Sequence, residues 1–298
     1  MSIPLESLKM KHAESTDLLT ILIPTRNRPE LLSFALRSVL VAFGPGTQVI
    51  IGDNGNAEVT RAMLEKEQFL ALAIVHHANP MGSSYSDNLQ MLIDACQSIW
   101  LCVLHDDDFF VGSAQDHVFG KLADPAISFV FSDHWMARND GSLDEKMTAR
   151  NSTFYGRSRL GMGKVENLGE LAVRNSICLD GFFMRTDLSR QRRLDLALPV
   201  FAQNKWMIEI CDSCAGGYFL PDRLFAYRAT TGSLTGQGMD TREILEAMMR
   251  TVVHDNHVKL LLRARIRAAW WKALKSSIRR GNFLMFISRF SLWRMLSI

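Results

Sequence analysis

The chain has 298 residues, 47% hydrophobic and 22% charged, with a formal net charge of +3. That balance is ordinary for a soluble globular protein and excludes both intrinsic disorder and a wholly membrane-embedded chain. The small total hides an asymmetry: residues 256–298 hold ten Lys and Arg and no Asp or Glu, leaving the rest at −7.

Residues 1–17 (MSIPLESLKMKHAESTD) show no hydrophobic period and read as a leader before the fold. LLTILIP, closing on Pro24, is a short unbroken apolar run, the mark of a strand buried on both faces. In NRPELLSFALRSVL, Pro29 suits a first helical turn, and Leu32, Ala35, Leu36 and Val39 fall at helical spacing. The unit repeats: TQVIIGDNG predicts a strand and AEVTRAMLEKEQFL a helix, LAIVHH a third strand, SSYSDNLQMLIDACQ a third helix, and IWLCVL a fourth strand. This alternation predicts an open, largely parallel sheet with helices on both faces.

In such sheets ligands bind beyond the carboxyl ends of the strands. Thr25, Arg26 and Asn27 follow the first strand, Asp53 and Asn54 the second, and Asp106, Asp107 and Asp108 the fourth. All therefore share one rim. Farther on, ISFVFSD and GFFM read as strands, residues 139–159 as a polar loop, and residues 243–277 repeat apolar positions at helical intervals (Leu262, Ile266, Ala269, Trp270, Ala273).

The segment WLCVLHDDDFF runs a buried strand into three adjacent carboxylates. They repel one another, and burial worsens that unless a cation or protons intervene. A hard divalent ion, Mg²⁺ or Mn²⁺, takes oxygen ligands and keeps positions for phosphate oxygens. The alternative is a solvated acidic turn. No G-x-x-x-x-G-K-[ST] and no G-x-G-x-x-G after a strand is present, so a glycine cradle for phosphate is not expected. Cys211 and Cys214 form a CxxC without a second pair, which reads as helix packing more than as zinc ligation. Five cysteines, an odd number without an apolar secretory start, suggest a reducing compartment.

TILIPTRNRPELLSFALRSVL, VIIGDNG, NLQMLIDACQSIWLCVLHDDDFF, FSD and YRATTGSLT, in that order, resemble the motifs of family 2 glycosyltransferases. The resemblance spans roughly residues 18–236. It implies a GT-A-like (Rossmann-like) α/β fold with a mostly parallel sheet flanked by helices. It also implies metal-assisted transfer of a hexose-type sugar from a nucleotide-diphosphate sugar to a glycan or lipid-linked acceptor, with inversion at the anomeric carbon. Under it, Pro24, Thr25 and Arg26 line the nucleotide pocket and Asp53 contacts the base. Asp107 and Asp108 hold the ion, and Asp106 is a ribose contact or spacer. Arg228 and Ser233 suit phosphate contacts, while His105 stands where many members have the first Asp of the metal-binding element.

Two departures stand out. The family's catalytic base is an acid at a helix start, and here the matching positions are Gln203, Asn204 and Lys205. Glu209 and Asp212 could substitute as catalytic carboxylates, although each also reads as a salt-bridge partner, and Glu209 would lie about 9 Å along a helix beginning near Gln203. Thr230 stands where the family often has a His. Asn88 matches a family Asn and reads equally as a helix cap. Asp133 is a rim carboxylate that reads as a donor or acceptor contact or as a turn residue, and Asp180 is an acceptor-side candidate.

The basic tail interleaves its cations with Trp270, Trp271, Phe283, Phe286, Phe290 and Trp293, a pattern suited to an anionic membrane surface, with a plain helical cap as the alternative. No 18-residue apolar run without charge occurs, so no membrane-spanning helix is expected. No nucleic-acid motif accompanies the charge, so no nucleic-acid partner is expected. The expected organisation is a leader (1–17), a transferase domain (18–240) and a basic amphipathic helical tail (241–298). The expected location is cytoplasmic, peripheral on the inner face of a membrane. The rival functions are a nucleotidyltransferase and a non-catalytic subunit that binds nucleotide sugar or glycan.

Overall fold

A computed structural model describes residues 18–80, 82–198, 201–230 and 241–279. The expected leader, Ser233 and the tail aromatics Phe283, Phe286, Phe290 and Trp293 lie outside the described residues.

The sheet begins with four parallel strands whose sequences are apolar on both faces. β1 (Leu19–Thr25) is buried throughout and is flanked by β2 (Gln48–Asp53) and β4 (Trp100–Val103), with β3 (Ala73–Ala78) beyond β2. The other strands are β5 (Phe109–Phe110), β6 (Phe129–Ala137), β7 (Gly163–Val165), β8 (Phe183–Arg185) and β9 (Gly217–Arg228). Their order is β3-β2-β1-β4-β8-β6-β9-β5, and β7 joins β9 off this path. β8 runs antiparallel to both β4 and β6, and β9 runs parallel to β6, so β1–β4, β6 and β9 all end on one rim. This is the expected α/β architecture.

Helices cover both faces. α1 (Pro29–Phe43) has Pro29 in its first turn and inserts Leu32, Ala35, Leu36 and Val39 against Ile21 and Ile23. α2 (Ala57–Leu64) starts where the Asn56 side chain accepts from Glu58 N and Val59 N, and α4 (Gln115–Leu122) joins the same layer. On the opposite face lie α3 (Tyr85–Ala95), α6 (Leu168–Val173) and α8 (Ala202–Ser213), preceded by the short α7 (Thr186–Ser189). α3 opens with a reciprocal Ser84–Asp87 capping box.

The polar stretch 139–159, expected as loop, contains α5 (Glu145–Phe154) and a single 3₁₀ turn, Arg157–Arg159. The helix escaped hydrophobic periodicity because its buried side is Thr148 and Ser152. Local hydrogen bonds hold it instead: Asp144 accepts from Met147 N at 2.9 Å, and Met136 N donates to Thr148 Oγ1 at 2.9 Å. The periodicity over 243–277 is divided between α9 (Thr241–Arg250) and α10 (Asn256–Arg279). Both helices bury apolar residues, among them Leu245, Met248, Leu262, Ile266 and Trp270, in the core that α3, α6 and α8 share. Among the described residues no helix is long and apolar enough to cross a membrane. Cys211 and Cys214 are free and buried, with Cys211 Sγ on the Met207 sulfur and Cys214 Sγ on Ser128 Oγ.

Candidate active site

Asp106, Asp107 and Asp108 leave β4 at the rim, as the strand pattern predicts, and each carboxylate has different partners. Asp106 accepts from Thr25 Oγ1 at 2.7 Å and from Arg28 Nη1 at 3.2 Å. Asp107 accepts from the same Arg28 Nη1 at 3.2 Å and from Thr230 Oγ1 at 3.0 Å, both on Oδ2. Asp108 is 1% exposed; its Oδ1 accepts from Arg228 N at 2.7 Å, while its Oδ2 is buried with no partner among the described residues. Burial, then the charges of Asp180 and Asp107, push the Asp108 carboxyl well above the ordinary range. Burial also raises Asp106, against the Thr25 hydrogen bond. A buried anionic oxygen without a donor is costly, and a cation would relieve it.

The donor set suits a hard ion. Ligand atoms of His105, Asp107 and Asp108 lie within 4.8 Å of one another. His105, however, is committed elsewhere: Nδ1 is 2.9 Å from Asp180 Oδ2, and Nε2 is 2.6 Å from the Tyr85 hydroxyl. Burial alone would lower this imidazole, but Asp180 charge and hydrogen bonding push it up to about 10. Both ring nitrogens are thus engaged, by Asp180 and by Tyr85. The fit to an ion therefore rests on Asp107 and Asp108.

Where the loops after β1 and β2 meet at the rim, the backbone is tightly fixed. Asn27 adopts φ 55°, and its Oδ1 accepts from Asn56 N at 2.8 Å, so the loop after β1 is tied to the loop after β2. Asp53 Oδ1 accepts from Gly55 N at 2.7 Å, and its Oδ2 lies 3.3 Å from His76 Nε2. Pro24 and Thr25 are buried beside these loops and Arg26 is exposed. Asn88 caps no helix. Its Nδ2 donates to Gly52 O at 2.8 Å and its Oδ1 accepts from Asn79 Nδ2 at 2.9 Å; a methyl group at Gly52 would overlap this carboxamide. It braces β2 from beneath.

Arg228 is 6% exposed, with its guanidinium 4.7 Å from the Phe34 ring centroid and 5.0 Å from that of Phe109. Its Nε and Nη2 are buried without partners among the described residues. Asp133 is held by Arg157 Nε at 2.8 Å and Arg223 Nε at 3.3 Å. Both its oxygens are thus engaged. Burial and the neighbouring Arg157 charge drop His134 to about 3.

The two carboxylates named as substitute bases are placed away from this constellation. Glu209 is 4% exposed, pairs with Lys205 Nζ at 2.8 Å and accepts from Val252 N at 2.7 Å. Asp212 accepts from His254 N at 2.5 Å and Asp255 N at 3.3 Å. Both anchor the link 251–255 that ends α9, because helical spacing carries them beyond the first turn of α8. Gln203 does sit at the site: it accepts from the Tyr85 hydroxyl at 2.8 Å and donates to Leu179 O at 2.8 Å. Sequence reading missed Arg28 and Tyr85. Arg28 lay within a quoted motif, and its position two residues after Arg26 was the available signal; nothing local in the sequence linked Tyr85 to His105.

The family model for glycosyl transferase family 2 matches residues 20–181. No curated protein matches the chain. Among solved structures, S. aureus TarS 1–349 in complex with UDP-GlcNAc is similar with a TM-score of 0.67 at 10% identity, covering 91% of this chain and 79% of that one. The mannosyltransferase PcManGT from Pyrobaculum calidifontis, in complex with GDP-Man and Mn²⁺, gives 0.56 at 14% identity over 88% and 75%. Against a longer S. aureus TarS chain the values are 0.61 and 12%, covering 83% of this chain but 42% of that one, so the chain spans less than half that relative. These identities speak for a shared fold, the GT-A arrangement.

Proposed function

The chain belongs to glycosyl transferase family 2, and from that premise we propose that it moves a hexose-type sugar, with inversion, from a nucleotide-diphosphate sugar to a glycan or lipid-linked acceptor. One observation carries the reading: three carboxylates follow β4 at the common rim, and the most buried of them, Asp108, keeps an oxygen without a donor among the described residues. Pro24, Thr25, Arg26 and Asp53 line the nucleotide pocket, and the Asn27–Asn56 tie holds that wall in place before any ligand arrives. Asp107 and Asp108 hold Mg²⁺ or Mn²⁺, which when bound neutralises charge on the leaving diphosphate. Thr25 and Arg28 fix Asp106 next to the diphosphate. Arg228, with buried nitrogens to offer, and Ser233 bind phosphate oxygens.

Residues 18–240 form the transferase unit in this reading, and 241–298 attach it to an anionic membrane surface on the cytoplasmic side, which suits a lipid-linked polysaccharide precursor. α10 supports the attachment, with Leu260, Trp271 and Ile278 more than half exposed among cations.

A second reading, a subunit that binds the donor without transferring it, is favoured by the amide at Gln203, where the family base is expected. Calorimetry of UDP and GDP with and without Mn²⁺, followed by a donor turnover assay, decides between them. Metal-dependent binding with release of nucleoside diphosphate supports the transferase, and binding without turnover supports the subunit. Release of pyrophosphate marks a nucleotidyltransferase, and no binding of nucleotide or ion removes all three.

A further inference from the structure

Resting on the transferase reading, we infer that Arg28 is the chain's own counter-cation for the rim carboxylates, competing with the divalent ion at Asp107 and turning to the donor's diphosphate once the ion has taken that carboxylate.

A single nitrogen, Arg28 Nη1, stands 3.2 Å from Asp106 Oδ1 and 3.2 Å from Asp107 Oδ2. One guanidinium nitrogen thus bridges two acids, as a small cation would. Asp107 is also one of the two residues suited to the ion. Asp108 Oδ2 has no donor among the described residues. Asp107, which would hold the ion together with Asp108, is then the carboxylate for which the two cations compete. They repel across that shared group.

The surroundings let the side chain move while the backbone stays. The Arg28 side chain is 32% exposed, against 7% for Asp106 and 13% for Asp107. Behind it, Arg28 O accepts from Leu32 N at 3.0 Å, Thr25 O accepts from Asn54 N at 3.0 Å, and Asn27 is locked to Asn56. Side-chain torsions are the available freedom. Arg28 does not balance three carboxylates by itself; a divalent ion adds positive charge there, and the next anion to arrive is the diphosphate. Arg28 then faces that anion from the rim.

This makes opposite predictions for two ligands, which a merely structural arginine would not. Arg28→Gln should bind Mn²⁺ alone about fivefold more tightly, since a repelling charge is gone. The same variant should bind UDP or GDP at saturating Mn²⁺ about tenfold more weakly, since a charge-assisted contact is lost. Arg28→Lys, which keeps the charge, should stay near wild type for Mn²⁺. The experiment is a calorimetric titration of wild type, Arg28→Gln and Arg28→Lys with Mn²⁺, then with each nucleotide, alongside melting curves. Tighter Mn²⁺ with weaker nucleotide supports the competition. Unchanged or weaker Mn²⁺ binding in an Arg28→Gln protein that melts like wild type overturns it and leaves the transferase reading standing. If Arg28→Gln melts early, Arg28→Lys decides: Mn²⁺ binding far from wild type in a normally melting Lys variant overturns the idea. A wild type that takes up neither Mn²⁺ nor nucleotide overturns both.

Discussion

Tyr85 and Gln203, 118 residues apart, are joined by a 2.8 Å hydrogen bond from the phenol to the carboxamide oxygen. The same carboxamide donates to Leu179 O at 2.8 Å, so both of its ends are used. An amide satisfies this geometry and a carboxylate does not, because it has no hydrogen for Leu179 O. The site is built around Gln203 as it stands. Gln203→Glu should lower stability by about 1–2 kcal/mol, the cost of a buried carbonyl without a donor. It should also slow transfer by disturbing the Tyr85–His105 chain. Melting curves and initial rates check this; a faster Gln203→Glu enzyme would mean that the position lacks only a base.

Asp108 couples function to instability. Its folded-state affinity for a proton is raised by burial and by Asp180 and Asp107. A group raised in this way contributes stability below its unfolded value, about 3.9, and loses it as pH rises through the folded value. At neutral pH, well above the unfolded value, the Asp108 carboxyl therefore weighs against the fold. Asp108→Asn keeps an oxygen for Arg228 N and removes the charge. In metal-free buffer at pH 7.5 or so it should melt at or above wild type, a gain on the order of 1 kcal/mol. Added Mn²⁺ should raise the melting temperature of wild type only, and the variant's transfer rate should fall at least about 100-fold. A variant that melts well below wild type without metal would contradict the electrostatic account.

The parallel core was legible because strands such as LTILIPT are apolar on both faces and α1 repeats Leu32, Ala35, Leu36 and Val39 at one interval. The rim followed from topology, since Asp53 ends β2 and Asp106–Asp108 follow β4, the two parallel strands that flank β1. α5 was not legible: its buried side is hydroxyls, which carry no hydrophobic period. Nor was the tie from Tyr85 to His105 and Gln203, a contact between three distant segments that only the folded chain creates. Glu209 and Asp212 lie near Gln203 in sequence, but their hydrogen-bond partners are elsewhere. Successive positions on α8 face different neighbours, and these two face the link 251–255.

That placement is testable. Glu209 is buried beside Lys205, whose side chain is 12% exposed, and holds Val252 N. Glu209→Ala leaves a half-desolvated ammonium and an unpaired amide, costing about 3 kcal/mol. Asp212→Asn should cost less, since its partners are near solvent. Nucleotide affinity should stay within about twofold in the Asn variant, while proteolysis after α8 should become faster in both as α9 and α10 loosen. Loss of nucleotide binding in a well-folded Asp212→Asn protein would return the acid to the site.

The outer face of α10 tests the membrane assignment. Val258, Leu262, Ile266, Trp270 and Ala273 face the core, whereas Leu260, Trp271 and Ile278 are 60%, 54% and 56% exposed. The exposed apolar residues recur about three and then two turns apart, so they form one stripe along the helix. Arg263, Arg267, Lys272, Lys275 and Arg279 are exposed as well, and α10 contains no acid. Apolar side chains among cations suit a surface whose headgroups are negative and whose interior accepts Trp and Leu, and each cation near it contributes about 1 kcal/mol. The protein should sediment with vesicles containing phosphatidylglycerol and not with pure phosphatidylcholine. High salt should weaken that association, and Leu260→Glu with Trp271→Glu should reduce it at least about tenfold while nucleotide affinity is kept. Salt sensitivity without any effect of the two glutamates would show that charge alone draws the chain, and equal binding to neutral vesicles would remove the anionic surface from the account.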